Sequence, residues 1–254
     1  MNYAWNHYKL LIKNALAYRE NFIILTTSMF VNNVLWVLFW WLIFQRFETF
    51  GTWSFDDMLT LYSVVYVAYG LQSLTTANVN NIAQDIEEGQ LDTYLSRPQN
   101  VLLQASLGIR EENLGDLAIG ILIALYVVPL HLLPLWAVFV VTSAVLLYAS
   151  FVCFASIAFF TGRFKDGFRV AKQMFTIFSN FPFGGFTGWT RAFLIFIFPV
   201  GLVAGIPAEL LTAFNTAMFL TYIGVTVIVA LLAYTLFYTG LQRYESGNLV
   251  KSQT

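Results

Sequence analysis

Long apolar runs alternate with short polar segments along this chain, at a spacing typical of membrane-spanning helices. A span needs about 20 mostly apolar residues, because each helical residue rises about 1.5 Å through a hydrocarbon core of about 30 Å. Five runs fit this requirement: 22–44, 58–77, 114–133, 135–162 and 219–239. A sixth run, 168–181, is shorter and can cross if its basic residues snorkel to the interface. The pattern therefore predicts an all-α integral membrane protein with six transmembrane helices in a single domain, 1–254.

Two other segments are partly apolar but are not typical of full spans. Residues 1–20 place aromatic and basic residues around an apolar side at helical spacing, which predicts an N-terminal interfacial helix. The alternative for this segment is an ordinary cytoplasmic lead-in. In region 182–216 a short apolar stretch is interrupted by Pro182, Gly184 and Pro199. Short, broken segments of this kind favour an outer re-entrant segment before the last span.

The longest polar segment, 78–113, separates the second and third predicted spans. Within it, Gly89 and Pro98 bracket a stretch just long enough for two helical turns, because glycine favours a turn and proline ends a helix. Leu91 and Leu95 lie four residues apart there and share one helical face. A short amphipathic helix between two spans indicates docking onto a partner, and the alternative is a solvated connecting loop.

Polar side chains recur inside two of the predicted spans. Hydroxyl groups at steps of three and four residues form one stripe along the second span, consisting of Tyr62, Tyr66, Tyr69, Ser73 and Thr76. Hydroxyls in an apolar setting need hydrogen-bond partners, so the stripe must face protein or a wet path and not lipid. Asn32 and Asn33 in the first span raise the same question. For both groups the alternatives are a seam between packed helices and the lining of a transport pathway.

Composition supports the membrane prediction and excludes several kinds of chemistry. The chain is 58% hydrophobic and 11% charged, against about 25% charged residues in soluble domains. A single cysteine, Cys153, excludes an internal disulfide, and no P-loop or zinc-binding motif occurs. The middle of each predicted span lacks ionisable residues, which disfavours a proton-coupled transporter or a membrane enzyme. We therefore expect no catalytic residue, metal or cofactor on this chain, and an energy source on a partner.

Positive charge is distributed unequally about the predicted spans. With the N-terminus inside, six spans place all but two of the 13 lysines and arginines in the cytoplasm, and only Arg46 and Arg191 lie outside. Such an asymmetry sets the orientation of membrane proteins. It predicts that both termini and the 78–113 loop are cytoplasmic.

Three motifs resemble those of type-2 ABC export permeases, in particular a bacterial branch whose substrates are mostly unassigned. The cytoplasmic loop reads Glu88-Gly89-Gln90-Leu91-Asp92, followed by Leu95, Arg97 and Pro98. Pro199 and Pro207-Ala208 are similar to that branch's outer segment before the last span. The chain ends in a similar way, with Arg243-Tyr244-Glu245-Ser246-Gly247-Asn248.

The resemblance implies that separate subunits form the transport pathway and hydrolyse ATP. In this family two permeases, identical or paralogous, form the pathway in the bacterial plasma membrane. Each permease contacts a separate cytoplasmic ABC ATPase, which binds ATP and Mg²⁺, through a coupling helix between spans two and three. The resemblance assigns coupling to the ATPase to the predicted helix 90–97 and the residues before it. The residues concerned are Glu88, Gly89, Leu91, Asp92, Leu95 and Arg97. Membrane lipid is the other expected partner, and no nucleic acid is expected.

The implied function is ATP-driven export, with this chain as a permease that has no catalysis of its own. A secondary transporter or channel subunit, or a non-transporting membrane scaffold, is the alternative. Co-purification with a soluble ATPase distinguishes the ABC permease hypothesis from the transporter or channel hypothesis and from the scaffold hypothesis.

Overall fold

The computed structural model describes Lys9 and residues 19–244, and helices joined by turns and short irregular segments make up this part of the chain. The predicted interfacial helix 1–20 falls almost entirely outside the described residues. The α-helices, numbered in chain order, are α1 (Arg19–Arg46), α2 (Phe55–Thr75), α3 (Ile82–Glu87), α4 (Asp92–Leu95), α5 (Val101–Ser106), α6 (Leu114–Val127), α7 (Leu133–Ser156), α8 (Ala158–Thr161), α9 (Lys165–Phe178), α10 (Gly188–Phe196), α11 (Ile206–Thr212) and α12 (Thr216–Leu241).

The sequence predicts six membrane-spanning helices, but fewer of the described helices have the length and composition of a span. Three described stretches are long and apolar enough by length and composition: Glu20–Arg46, Leu130–Thr161 and Thr216–Leu241. A fourth candidate is the pair Gly188–Phe196 and Gly201–Thr212, which is bent by 86° at a short break. A bend of this kind fits a broken span or a re-entrant loop, so the six-span count and the re-entrant segment stay predictions.

The hairpin between the third and fourth predicted spans is sharper than expected. The sequence predicts a helix over 114–133 that is merely kinked at Pro129, but α6 ends at Val127 and Val128 is extended. The residue before a proline disfavours the helical region, which explains why the helix stops there. Pro134 lies in the first turn of α7, where its missing N–H costs nothing.

Helix α2 is the centre of the molecule. It packs against α6 and α7, and α11 also contacts it. Its residues are buried on every side, from Met58 to Ser73. A helix that is enclosed by protein in this way can carry polar side chains that would be costly in lipid. By contrast, α1 and α12 are mostly exposed and present apolar side chains to their surroundings.

The 78–113 segment is folded against the bundle. A 3₁₀ turn, Ala77–Asn81, leads into α3, and the chain then passes through α4 and α5 before it returns to the end of α2. Gly89 has a φ of 73°, which confirms the predicted turn residue. The two-turn helix predicted over 90–97 is wrong in length, because regular α-helix extends only over Asp92–Leu95. The segment folds on its neighbours and not as an independent helix.

The turn after α1 and the segment after α9 meet in a close backbone contact. The turn between α1 and α2 contains Gly51, whose φ is 66°. A Cβ at Gly51 would stand 2.5 Å from the carbonyl oxygen of Gly184, and one at Gly184 would stand 2.0 Å from Trp53. Glycine is therefore required at both positions for the two segments to touch.

Candidate functional site: a polar cavity joined to the 78–113 loop

A buried carboxylate joins α1 to α6. Asp116, which is 3% exposed, accepts hydrogen bonds from Asn33 Nδ2 at 2.5 Å and from Asn113 Nδ2 at 2.6 Å. The two helices come close enough because position 115 is glycine, where a Cβ would stand 2.6 Å from the carbonyl oxygen of Thr26. Buried charges are costly unless they are hydrogen-bonded, and here two amides meet that need. Asn33 thus contributes to the contact between α1 and α6.

The tyrosine stripe meets the chain just after α9. Tyr62 donates to the backbone carbonyl of Asn180 at 3.1 Å, and Trp40 donates to the same oxygen at 2.9 Å. Tyr66 donates to the Asn180 side-chain oxygen at 3.4 Å, and its ring stacks on that of Tyr62 with centroids 4.8 Å apart. Asn180 therefore satisfies several donors of the stripe and fastens the end of α9 to α1 and α2.

The next members of the stripe open onto a cavity. A space of about 290 Å³, the central cavity, lies among α1, α2, α6 and α9. Its lining includes five of the seven residues predicted for a pathway or permease interface: Asn32, Asn33, Tyr66, Tyr69 and Ser73. Tyr62 is buried beside it, and Thr76 caps the end of α2. The stripe thus forms a seam at one end and lines a cavity at the other, and its role in transport stays a prediction.

Charged side chains outside the predicted pathway residues line the same cavity. Arg110, Glu112 and Lys172 join Asp116 in its wall. Arg110 and Glu112 form an ion pair at 3.8 Å. The cavity thus holds charges of both signs inside an otherwise apolar bundle. A concave space where a few polar and charged groups converge is the usual form of a binding site, which marks the cavity as the candidate functional site.

The six predicted coupling residues lie on one part of the loop but in different environments. Leu91 is completely buried within the chain itself, whereas Leu95 is 46% exposed. Glu88 and Arg97 are exposed, and Gly89 and Asp92 are half-buried. Leu91 therefore faces the core of its own subunit and does not share an exposed face with Leu95, and the coupling role of the six residues stays a prediction.

The loop is tied to α9 through an acid that sequence reasoning missed. One carboxylate oxygen of Glu87 accepts hydrogen bonds from the backbone N–H groups of Phe164 and Lys165, where α9 begins. The neighbouring Glu88 accepts from Lys165 Nζ at 3.3 Å. A carboxylate at a helix N-terminus satisfies free N–H groups and offsets the positive end of the helix dipole. The loop is thus attached to a helix that lines the cavity.

The loop also lies close to Tyr244, which follows the last helix. Burial, with a further contribution from the charge of Asp92, raises the pKa of Tyr244 to about 12.

Two features of the sequence could have indicated Asp116 and Glu87, which were not among the predicted site residues. Asp116 opens an apolar run as a lone carboxylate, and an acid directly precedes Glu88. Neither signal identifies a partner, because Asn33 and Phe164 are about 80 residues away in the chain.

The chain matches the family model described as ABC-2 family transporter protein over residues 30–247. No curated protein and no solved structure gives a significant match. The family match confirms the resemblance to type-2 ABC permeases that the loop motif indicates. Because the match extends over most of the chain, and because several helices have the length and composition of membrane spans, this protein is a multi-pass membrane protein of the ABC-2 transporter family.

Proposed function

We propose that this chain is the permease subunit of an ATP-driven ABC exporter in the bacterial plasma membrane. Membership of the ABC-2 family supports it, since the family belongs to ABC transporter systems, in which the membrane subunit is typically non-catalytic. In this proposal a separate cytoplasmic subunit hydrolyses ATP. A second permease packs against the apolar surfaces of α1 and α12.

The observation that carries the proposal is the connection between the 78–113 loop and the cavity. The loop holds α9 through Glu87, and α9 contributes Lys172 to the cavity wall. A partner that moves the loop therefore displaces a cavity-lining helix without contacting it. This is the mechanical arrangement that coupling to a separate ATPase requires.

Burial supports a choice between the two leucines that were predicted to dock. A buried anchor at an interface needs a side chain that is free before binding, and Leu95 meets this requirement while Leu91 does not. Leu91 stabilises the loop by filling the core beneath it. We therefore propose Leu95 as the apolar contact with the ATPase, and Leu91 as the residue that holds the loop in shape.

A co-purification experiment tests the proposal. Wild-type chain should copurify with a soluble ABC ATPase in stoichiometric amounts. Leu95→Ala should lower that affinity about thirtyfold if Leu95 is a hot spot, whereas Leu130→Ala, at an exposed leucine of the α6–α7 hairpin, should not. The absence of an ATPase from wild-type preparations would contradict the function, and undiminished binding of Leu95→Ala would contradict the docking site alone.

A further inference from the structure

A second cavity lies next to the first, between α3 and α9. Its volume is about 230 Å³, and it shares Asn80, Arg110 and Lys172 with the central cavity. This basic cleft is lined by four cationic side chains: Arg110, Lys165, Arg169 and Lys172. Four cations around one small space repel each other unless acids or a bound anion compensate them.

The fold itself brings these cations together. Lys165, Arg169 and Lys172 follow each other at steps of four and three residues, so they form one stripe along α9. Arg110 reaches the same space from the segment that precedes α6. The backbone there is fixed by a hydrogen bond of 3.0 Å from the Arg110 N–H to the Ser73 carbonyl. The cleft is therefore assembled from two separate parts of the chain.

Acidic partners compensate three of the four cations. Arg110 pairs with Glu112 at 3.8 Å, Lys165 with Glu88 at 3.3 Å and Arg169 with Asp166 at 2.9 Å. Lys172 is half-buried and forms no ion pair within 4.0 Å among the described residues. Among the described residues, Lys172 is thus the cation of the basic cleft that has no acidic side chain in ion-pair contact, and it lies where the basic cleft meets the central cavity.

We propose that the basic cleft binds a phosphate-type anionic head group, with Lys172 supplying the decisive charge. Guanidinium and ammonium donors are the groups that hold phosphate oxygens, and basic pockets beside membrane helices hold anionic lipid head groups. The volume is below the range of about 300–1,000 Å³ for pockets that enclose a drug-sized ligand. The cleft is therefore sized for a head group whose apolar tail stays outside it.

Binding can be measured on the purified full chain in neutral detergent. The probes are a short-chain phosphatidic acid, phosphatidylcholine of the same chain length, and inorganic phosphate. We expect phosphatidic acid to bind saturably and to raise the unfolding temperature, and we expect no such effect from phosphatidylcholine. Competition by inorganic phosphate at equal concentration would identify a soluble phosphate as the ligand, whereas binding of the lipid alone would identify a membrane head group.

Variants locate the site. Lys172→Gln should weaken binding at least about tenfold, because a charge-assisted hydrogen bond is lost, and Lys172→Arg should retain it. Arg163→Gln is the matched control, since Arg163 is exposed on the same side but does not line the basic cleft. If Lys172→Gln does not fold, Arg169→Gln takes its place with the same direction of effect. Wild-type affinity in the Lys172 variant, or equal weakening by Arg163→Gln, would overturn the proposal. The experiment contains no ATPase, so its outcome is independent of the proposed export function.

Discussion

At the residue scale, adjacent asparagines of the first span have different environments. Asn33 is 3% exposed and donates to Asp116, whereas Asn32 is exposed at the edge of the central cavity. Asn33→Ala should lower the free energy of unfolding by about 1–3 kcal/mol, because a buried carboxylate oxygen loses its donor. Asn32→Ala is the matched control and should have little effect. Denaturant unfolding in detergent measures both, and equal losses would contradict the special role of Asn33.

The carboxyl group of Asp85, which lies outside the predicted spans, makes the stability of the protein depend on pH. Burial, and then the charge of Glu88, raises the pKa of Asp85 from 3.8 to about 6. A carboxyl whose pKa is higher in the folded state destabilises the protein progressively as the pH rises from about 4 to 6. Asp85→Asn removes this penalty, so its gain in unfolding temperature over wild type should be larger at pH 7.5 than at pH 5. A gain that is constant with pH would contradict the raised pKa.

At the scale of elements, the start of α9 depends on a side chain from another part of the chain. Removing a capping acceptor costs about 0.5–2 kcal/mol of local stability. Glu87→Ala should therefore speed hydrogen exchange at the amides of Phe164 and Lys165, whose hydrogen bonds it removes. Glu88→Ala is the control, because Glu88 contacts only the Lys165 side chain in this region. Unchanged exchange in Glu87→Ala would mean that the loop does not hold α9.

The sequence predicted these elements better than it predicted their contacts. Apolar length alone indicates α1, α7 and α12, and Gly89 marks the turn that the structure contains. The spacing of Leu91 and Leu95 gives a shared face but cannot tell which surface covers it, since burial depends on neighbours that are distant in sequence. For the same reason a hydroxyl stripe on α2 could be found by its period, while its acceptor Asn180 could not.

At the scale of the whole molecule, the charge asymmetry predicts which loops face outward. In a Cys153→Ser background, Thr49→Cys and Trp189→Cys should react with an impermeant thiol reagent added outside intact cells, because both positions are exposed. Ser96→Cys, on the 78–113 loop, should react only after the membrane is permeabilised. The reverse pattern would mean that the orientation is inverted. Labelling of Trp189→Cys from the inside alone would mean that the region 182–216 is misplaced.

The glycine contact between Gly51 and Gly184 has a consequence for how α9 can move. Beyond its last turn the helix is pinned by that contact and by the Asn180 carbonyl, while its first turn is attached to the 78–113 loop. A rod that is fixed at one end and pushed at the other swings about the fixed point, and it does not slide. We expect spin-label distances from α6 to change more at Lys165 than at Phe178 when the loop is displaced. The push of a partner on the loop would thus swing α9 about its far end and displace Lys172, about midway along the helix, by a smaller distance than Lys165.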